Sequence, residues 1–232
     1  MEKEFFKPGN MLYPIPAVMI SCADKDNKPN IITVAWAGTV CSSPAMVSVS
    51  VRKERHSYEI MKESGEFVIN LVTENLTKAA DFCGVRSGRD IDKFKEMKLT
   101  PVKGKLKFAP MIEESPVNIE CKIKTIIPLG SHDMFLAEVI SVAVDKKYID
   151  DKGKFHLNQT KLIVYSHGEY YGMGDLIGKF GYSVQKNKSE KNKAEKNKAE
   201  KYKVEKNKVV KNSVNGKGKY INNDMKNAYK KK

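Results

Sequence analysis

The sequence predicts a mainly β fold: an antiparallel barrel with short helices packed on its outside. Three observations carry this. Runs rich in β-branched residues recur up to Tyr165, separated by turn-forming residues. One of them, Met46 to Val51, alternates valine with serine or methionine at the period of two that a strand with one apolar face requires. Long helices do not alternate with these runs, and no GxGxxG follows a strand, so the rhythm of a parallel βαβ sheet is missing.

The elements follow in order. Ala17 to Cys22 and Asn30 to Trp36 are apolar runs joined by the polar cluster DKDNKP, which predicts a hairpin with Trp36 ending its second strand. Met46 to Val51 is the next strand. Arg55 to Glu63 changes period: Tyr58, Ile60 and Met61 fit a short helix with Ser57 as its N-cap, ended by Gly65. Glu66 to Val72 returns to strand. Thr73 to Phe82 reads as a helix stopped by Gly84, and Arg86 to Phe94 as a polar loop entering a short helix. Val117 to Ile127 and Met134 to Val144 are long β-rich runs, antiparallel across Pro128-Leu129-Gly130, and Lys161 to Tyr165 is a last strand. About seven strands and two or three short helices are expected.

Charge divides the chain of 232 residues, which carries a formal net charge of +14. From Gln185 to Lys232 there are 17 lysines, no arginine and five acids, whereas the first 184 residues hold 25 basic and 23 acidic groups. Basicity is therefore a property of the tail, and a domain over residues 1–184 followed by a tail over 185–232 is expected. The tail repeats in fives (KNKSE, KNKAE, KNKAE, KYKVE, KNKVV). Five residues turn a helix by 500°, so no apolar face recurs, and disorder is the expectation. Such a tail could bind anionic polymers in a salt-dependent way. It has no arginine and three tyrosines, too little for specific nucleic-acid recognition.

The four cysteines contain no CxxC pair, which argues against a zinc ribbon or a thioredoxin-type site and for free thiols in a reducing cytosol. The start, MEKEFFKPGN, has no apolar leader core, and no apolar run reaches the ~18 residues of a membrane span. A cytoplasmic protein without a membrane span is expected.

Several stretches resemble the flavin reductase-like, FMN-binding split-barrel family, in particular its flavoredoxin branch. They are Pro29 to Gly38, Val47 to Arg52, His56-Ser-Tyr58, Gly65 to Asn70, Asp81 to Gly88, Asp92-Lys-Phe94, Ile119-Glu-Cys121, Gly130-Ser-His132 and Glu138-Val139, in the family's order. The resemblance implies a homodimeric split β-barrel that holds FMN non-covalently and passes electrons through it. It also implies flavin contacts at Asn30, Trp36, Ser57, Lys93, His132 and Tyr165. Ser57 and Tyr165 depart from the threonine and phenylalanine common there, but keep a hydroxyl and an aromatic face.

The residues suit these roles chemically. A phosphate asks for cations and N–H donors, which Arg52, Lys53 and Arg55 and the helix start at Ser57 can offer. The flavin ring asks for a flat apolar partner, and Trp36 is the single tryptophan. Asn30 both donates and accepts. Lys93 and His132 are candidates for the ring edge that becomes anionic on reduction, and Tyr165 for a cover over the ring. Thr33 and Ser50 complete the cofactor-binding set. No catalytic acid or base is nominated, because hydride transfer between stacked rings needs none. Two functions remain open: an electron carrier of flavoredoxin type serving a protein partner, and an FMN reductase using NADH or NADPH.

Overall fold

The computed structural model describes residues 1–185. One compact unit runs from Met1 to Gly174, and residues from Asp175 belong to a second unit. The described part of the second unit holds one turn of 3-10 helix, Tyr182–Val184. The disorder expected of the lysine-rich tail falls outside the described residues from 186 onward.

The first unit is mainly β and antiparallel. Its strands are β1 Ile15–Pro16, β2 Val18–Ala23, β3 Pro29–Val34, β4 Ala37–Ser42, β5 Ala45–Val51, β6 Glu66–Leu71, β7 Pro101–Val102, β8 Met111–Ile112, β9 Val117–Pro128, β10 Asp133–Val144, β11 Ile163–Ser166 and β12 Glu169–Gly172. Seven of them form one sheet in the order β3-β2-β6-β9-β10-β5-β4, and β1, β11 and β12 form a second. The helices are α1 His56–Ser64, α2 Thr77–Val85 and α3 Lys93–Glu96.

The alternation read in Met46 to Val51 sorts residues as expected. Val47, Val49 and Val51 of β5 are buried, while Ser48 and Ser50 are half-buried on the other face. The inward valines join Ile32, Val34, Phe67 and Phe135 in one core, into which α1 sends Tyr58, Ile60 and Met61. Each such apolar side chain contributes about 1.5–3 kcal/mol when fully buried. The opposite faces of β2 and β3 carry Met19 and Ile31, which pack against Ala79, Ala80 and Cys83 of α2 and Phe94 of α3. Strand β3 is thus sandwiched between two cores, and its ends are where the helices meet the sheet.

Buried polar groups fix the far side of the sheet. Glu66 on β6 accepts backbone N–H groups of Phe108 at 2.5 Å and Ala109 at 2.9 Å. Glu120 on β9 accepts those of Lys105 at 2.6 Å and Leu106 at 3.0 Å, and takes the hydroxyl of Ser141. Two carboxylates therefore hold the irregular segment between β7 and β8, which has few hydrogen bonds of its own.

Four expectations need correction. Trp36 lies two residues beyond the end of β3, at the bend into β4, rather than ending a strand. Ser57 is not the N-cap of α1: that position is Arg55, with no side-chain cap, and Ser57 is buried in the first turn. Gly84 does not stop α2, which runs to Val85. The glycine instead lets the helix approach β3, where a Cβ at position 84 would lie 3.3 Å from the Cβ of Thr33. The last predicted strand begins at Ile163 rather than Lys161, because Lys161 sits in the left-handed region with φ 53°.

Candidate functional site

Three adjoining compartments, running from β3 across the bend at Ala35 and Trp36 to β4, make up the candidate groove. The first holds about 120 Å³ and is lined by Asn30, Arg55, Ser57, Arg86, Arg89 and Lys93, among others. The second, about 130 Å³, includes Thr33, Trp36, Ser50, Arg52, Arg55 and His132. The third is far wider, about 600 Å³, and shares Ala35, Trp36 and Ser50 with the second. Ile32 and Arg55 are common to the first two, so each compartment shares a wall with the next.

The first compartment is cationic and closely built. Lys93, the first residue of α3, is only 4% exposed. Its Nζ donates to the carbonyls of Ile31 at 2.7 Å and Cys83 at 2.8 Å, so the amine bridges β3 and α2. An ammonium has three donors, and the remaining one is available to the compartment that Lys93 lines. Burial holds its pKa below the ordinary 10.5. Asn30 Nδ2 donates to Ser57 Oγ at 2.8 Å, tying β3 to the first turn of α1. The loop Arg86 to Arg89 covers this end, and Arg89 Nη1 donates to the Glu54 carbonyl at 3.0 Å. Gly88 approaches so closely that a Cβ there would lie 2.0 Å from Asn30 Oδ1.

The second compartment sits between β3, β5 and the start of β10. Backbone bonding fixes Trp36 here, since Ser50 N donates to its carbonyl at 2.8 Å. The hydroxyl of Thr33 donates to the Ala80 carbonyl, so its proton is used in holding α2. His132 lies beside Arg52; burial first, and then that guanidinium, lower its pKa from the ordinary 6.5. The adjacent Asp133 is buried and accepts the Tyr58 hydroxyl at 2.6 Å, which fastens α1 to β10 below the groove.

Eight of the nine predicted site residues, Asn30, Thr33, Trp36, Ser50, Arg52, Ser57, Lys93 and His132, line this groove. Tyr165 lines none of the three compartments and is linked to them through Tyr13, whose ring centroid is 6.2 Å from that of Tyr165 and 6.4 Å from that of Trp36. Lys93 lies at the Ser57 end of the groove, in a different compartment from His132 and Trp36. Sequence reasoning missed Arg86, Ser87, Arg89 and Tyr13. The signal for the first three was a glycine-containing loop with two arginines and a serine entering a helix; for Tyr13 there was none.

The groove offers cations and N–H donors at one end and a wide, uncharged space beside Trp36 at the other. It offers no activated nucleophile. Burial raises the thiols of Cys22 to about 12 and Cys83 to about 11. A separate cavity of about 580 Å³, bordered by Glu74, Glu114, Lys147 and Lys161, contains none of the predicted residues.

Known proteins share this architecture. Residues 11–174 match the family described as flavin reductase like domain. The flavoredoxin of Desulfovibrio vulgaris (Miyazaki F) superposes with a TM-score of 0.74 and 32% identity, covering 79% of this chain and all of that one. The flavoredoxin from Methanosarcina acetivorans superposes with a TM-score of 0.72 and 27% identity, over 80% of this chain and all of that one. An uncharacterized protein of Archaeoglobus fulgidus is 30% identical over 152 residues, which is 66% of this chain and 85% of that protein. The fold, the ordered motifs and the match over residues 11–174 agree: the chain belongs to the flavin reductase-like family, on its flavoredoxin branch.

Proposed function

We propose that the groove along β3 holds FMN non-covalently and that the protein passes electrons through it as a flavoredoxin-type carrier. The observation that carries this reading is the gradient of chemistry along one groove. A compact cationic end suits a phosphate dianion, and an open end beside Trp36 suits a planar ring.

The residues fit the cofactor. The free donor of Lys93, with Arg55, Arg86 and Arg89, would take the phosphate, and charge-assisted bonds of this kind contribute about 1.5–3 kcal/mol each. Asn30 and Ser57 would hold the same end by amide and hydroxyl. Ser50, on β5 at the wall shared by the second and third compartments, would hydrogen-bond the polyol chain. Trp36 would pack on the ring, and Arg52 and His132 would lie at a ring edge, where positive charge or N–H donors favour the electron-rich state. Bound there, FMN supplies one- and two-electron transfer, and no residue of the chain has to move a proton by acid–base catalysis.

A protein carrier is the proposed redox partner, with NADH or NADPH as the competing donor. A homodimer is also proposed: β4 is an edge strand with Val40 exposed, and Ile140 and Val142 are exposed on β10. The four cysteines are free, in keeping with a cytoplasmic setting.

The test is a visible spectrum of the purified protein before and after adding FMN. A bound flavin at one per chain is expected; a protein that stays colourless after FMN and desalting overturns the reading. Rapid anaerobic bleaching by NADH or NADPH would replace the carrier with the reductase.

A further inference from the structure

The wide compartment beyond Trp36 differs from the rest of the groove in one decisive respect. Its lining, which includes Met11, Leu12, Ile15, Trp36, Gly38 and Ser48, contains no charged side chain. The arginines and the buried lysine all lie in the other two compartments. Its volume of about 600 Å³ is that of an ordinary small-molecule site, for which the usual range is about 300–1,000 Å³. The N-terminal segment Gly9 to Leu12 walls one side and β4 with Ser48 and Ser50 the other. Polar contact is limited to the amide of Asn10, two serine hydroxyls and backbone groups.

The geometry points to a second-substrate site here, for a small, uncharged, planar carbonyl compound of quinone class, seated between the N-terminal segment and β4 beside Trp36. This rests on the flavin reading above. Charge makes the selection. A nicotinamide dinucleotide brings a diphosphate, and a dehydrated anion needs paired charge or several donors. The lysine and all but one of the groove's arginines border the compartment where the flavin phosphate would occupy them, and the remaining one, Arg52, stands with His132 in the middle compartment at the proposed ring edge. A quinone needs an apolar slot and one or two hydrogen bonds to its carbonyl oxygens, which Asn10, Ser48 and Ser50 can supply. Bound reduced FMN would supply a hydride (two electrons and one proton) to a quinone oxygen, and water the second proton, so that the quinone would leave as a hydroquinone and a low-potential protein carrier would return two electrons to the oxidised flavin.

The test uses the full chain loaded with FMN and 1,4-naphthoquinone as probe. With the flavin oxidised, so that no turnover occurs, naphthoquinone should perturb the flavin absorption band saturably. Gly38→Phe puts a ring into the compartment from β4, where a Cβ meets nothing within 4 Å. Leu12→Arg places a charge on the outer wall, where Leu12 is 87% exposed. Each should weaken the naphthoquinone Kd at least tenfold while the bound-flavin spectrum and FMN stoichiometry stay as in the parent. A perturbation that never saturates, variants that bind the quinone as well as the parent, or NADH displacing naphthoquinone at lower concentration than naphthoquinone itself requires, would each overturn the assignment. Absence of bound flavin would instead remove the underlying reading, so the two failures are distinguishable.

Discussion

Two asparagines on strands of the same sheet, Asn70 on β6 and Asn30 on β3, are both buried and do opposite things. Asn70 is saturated. Its amide donates to Met19 O and Ser21 Oγ at 2.9 Å, and its Oδ1 accepts Ile112 N at 3.0 Å and Asn118 Nδ2 at 2.8 Å. Asn30 makes one side-chain bond, to Ser57, and otherwise faces the groove. The same contrast separates Glu66 and Glu120, closed by backbone N–H groups, from Lys93, which keeps a donor. Burial alone does not distinguish a structural polar group from a binding one. Unused hydrogen-bonding capacity at the wall of a cavity does.

The contrast can be broken from either side. The largest effect is expected at a saturated group. Glu66→Ala strands the backbone donors of Phe108 and Ala109, and each unpaired buried group costs about 1–3 kcal/mol. Urea unfolding should show a loss of about 2–4 kcal/mol, while FMN affinity of the folded fraction is unchanged. A matching loss of affinity would mean that the two regions are not independent.

Lys93→Met should act the other way, weakening FMN about 10–100-fold through loss of a charge-assisted bond, as read by fluorescence titration of the apoprotein. The pH dependence follows from the depressed pKa. The protonated amine is the form that binds phosphate, so affinity should fall as pH rises through a value below 10.5. Stability of the apoprotein should move oppositely. Between the folded pKa and the higher unfolded one the unfolded chain holds more protons, so this residue makes apoprotein stability rise with pH in that window. The methionine variant should flatten both trends.

Trp36→Leu comes next, at about two- to tenfold in FMN affinity, since stacking contributes about 0.5–1.5 kcal/mol beyond burial. A change in the emission of the bound flavin should accompany it. The smallest effect is expected from deleting residues 186–232: FMN affinity and the visible spectrum should not move, and flavin loss on truncation would bring the tail into the site.

Much of this was legible in the sequence because period and composition act locally. The valines of β5, the long β9–β10 hairpin and the Tyr58–Met61 face of α1 were visible in this way. Strand β4 was not. AGTVCS is an exposed edge strand with a glycine and no alternation, and only its pairing with β5 makes it β. Ser57 and Gly84 misled for a common reason: each has a standard local role at a helix end, and each is used here for a contact with β3. Eight site residues could be named through the family resemblance, but what unites them is tertiary. The local sequence places Lys93 at a helix start but says nothing of the carbonyls of Ile31 and Cys83 that bury it between β3 and α2. Arg86 and Arg89 carried a loop signal in the sequence, but only the fold of that loop over Asn30 assigns them to the site.

Gly88 and Asn30, 58 positions apart in the sequence, constrain what this lineage can become. Asn30 cannot swing away from a new side chain at 88 without breaking its bond to Ser57, and a smaller residue at 30 would give up that bond to make room. Neither position can drift alone. Neutral variation at either should therefore be rare while the other stands, and escape requires a paired replacement at the two positions. The contact works as an evolutionary lock, holding the cationic end of the groove in one shape.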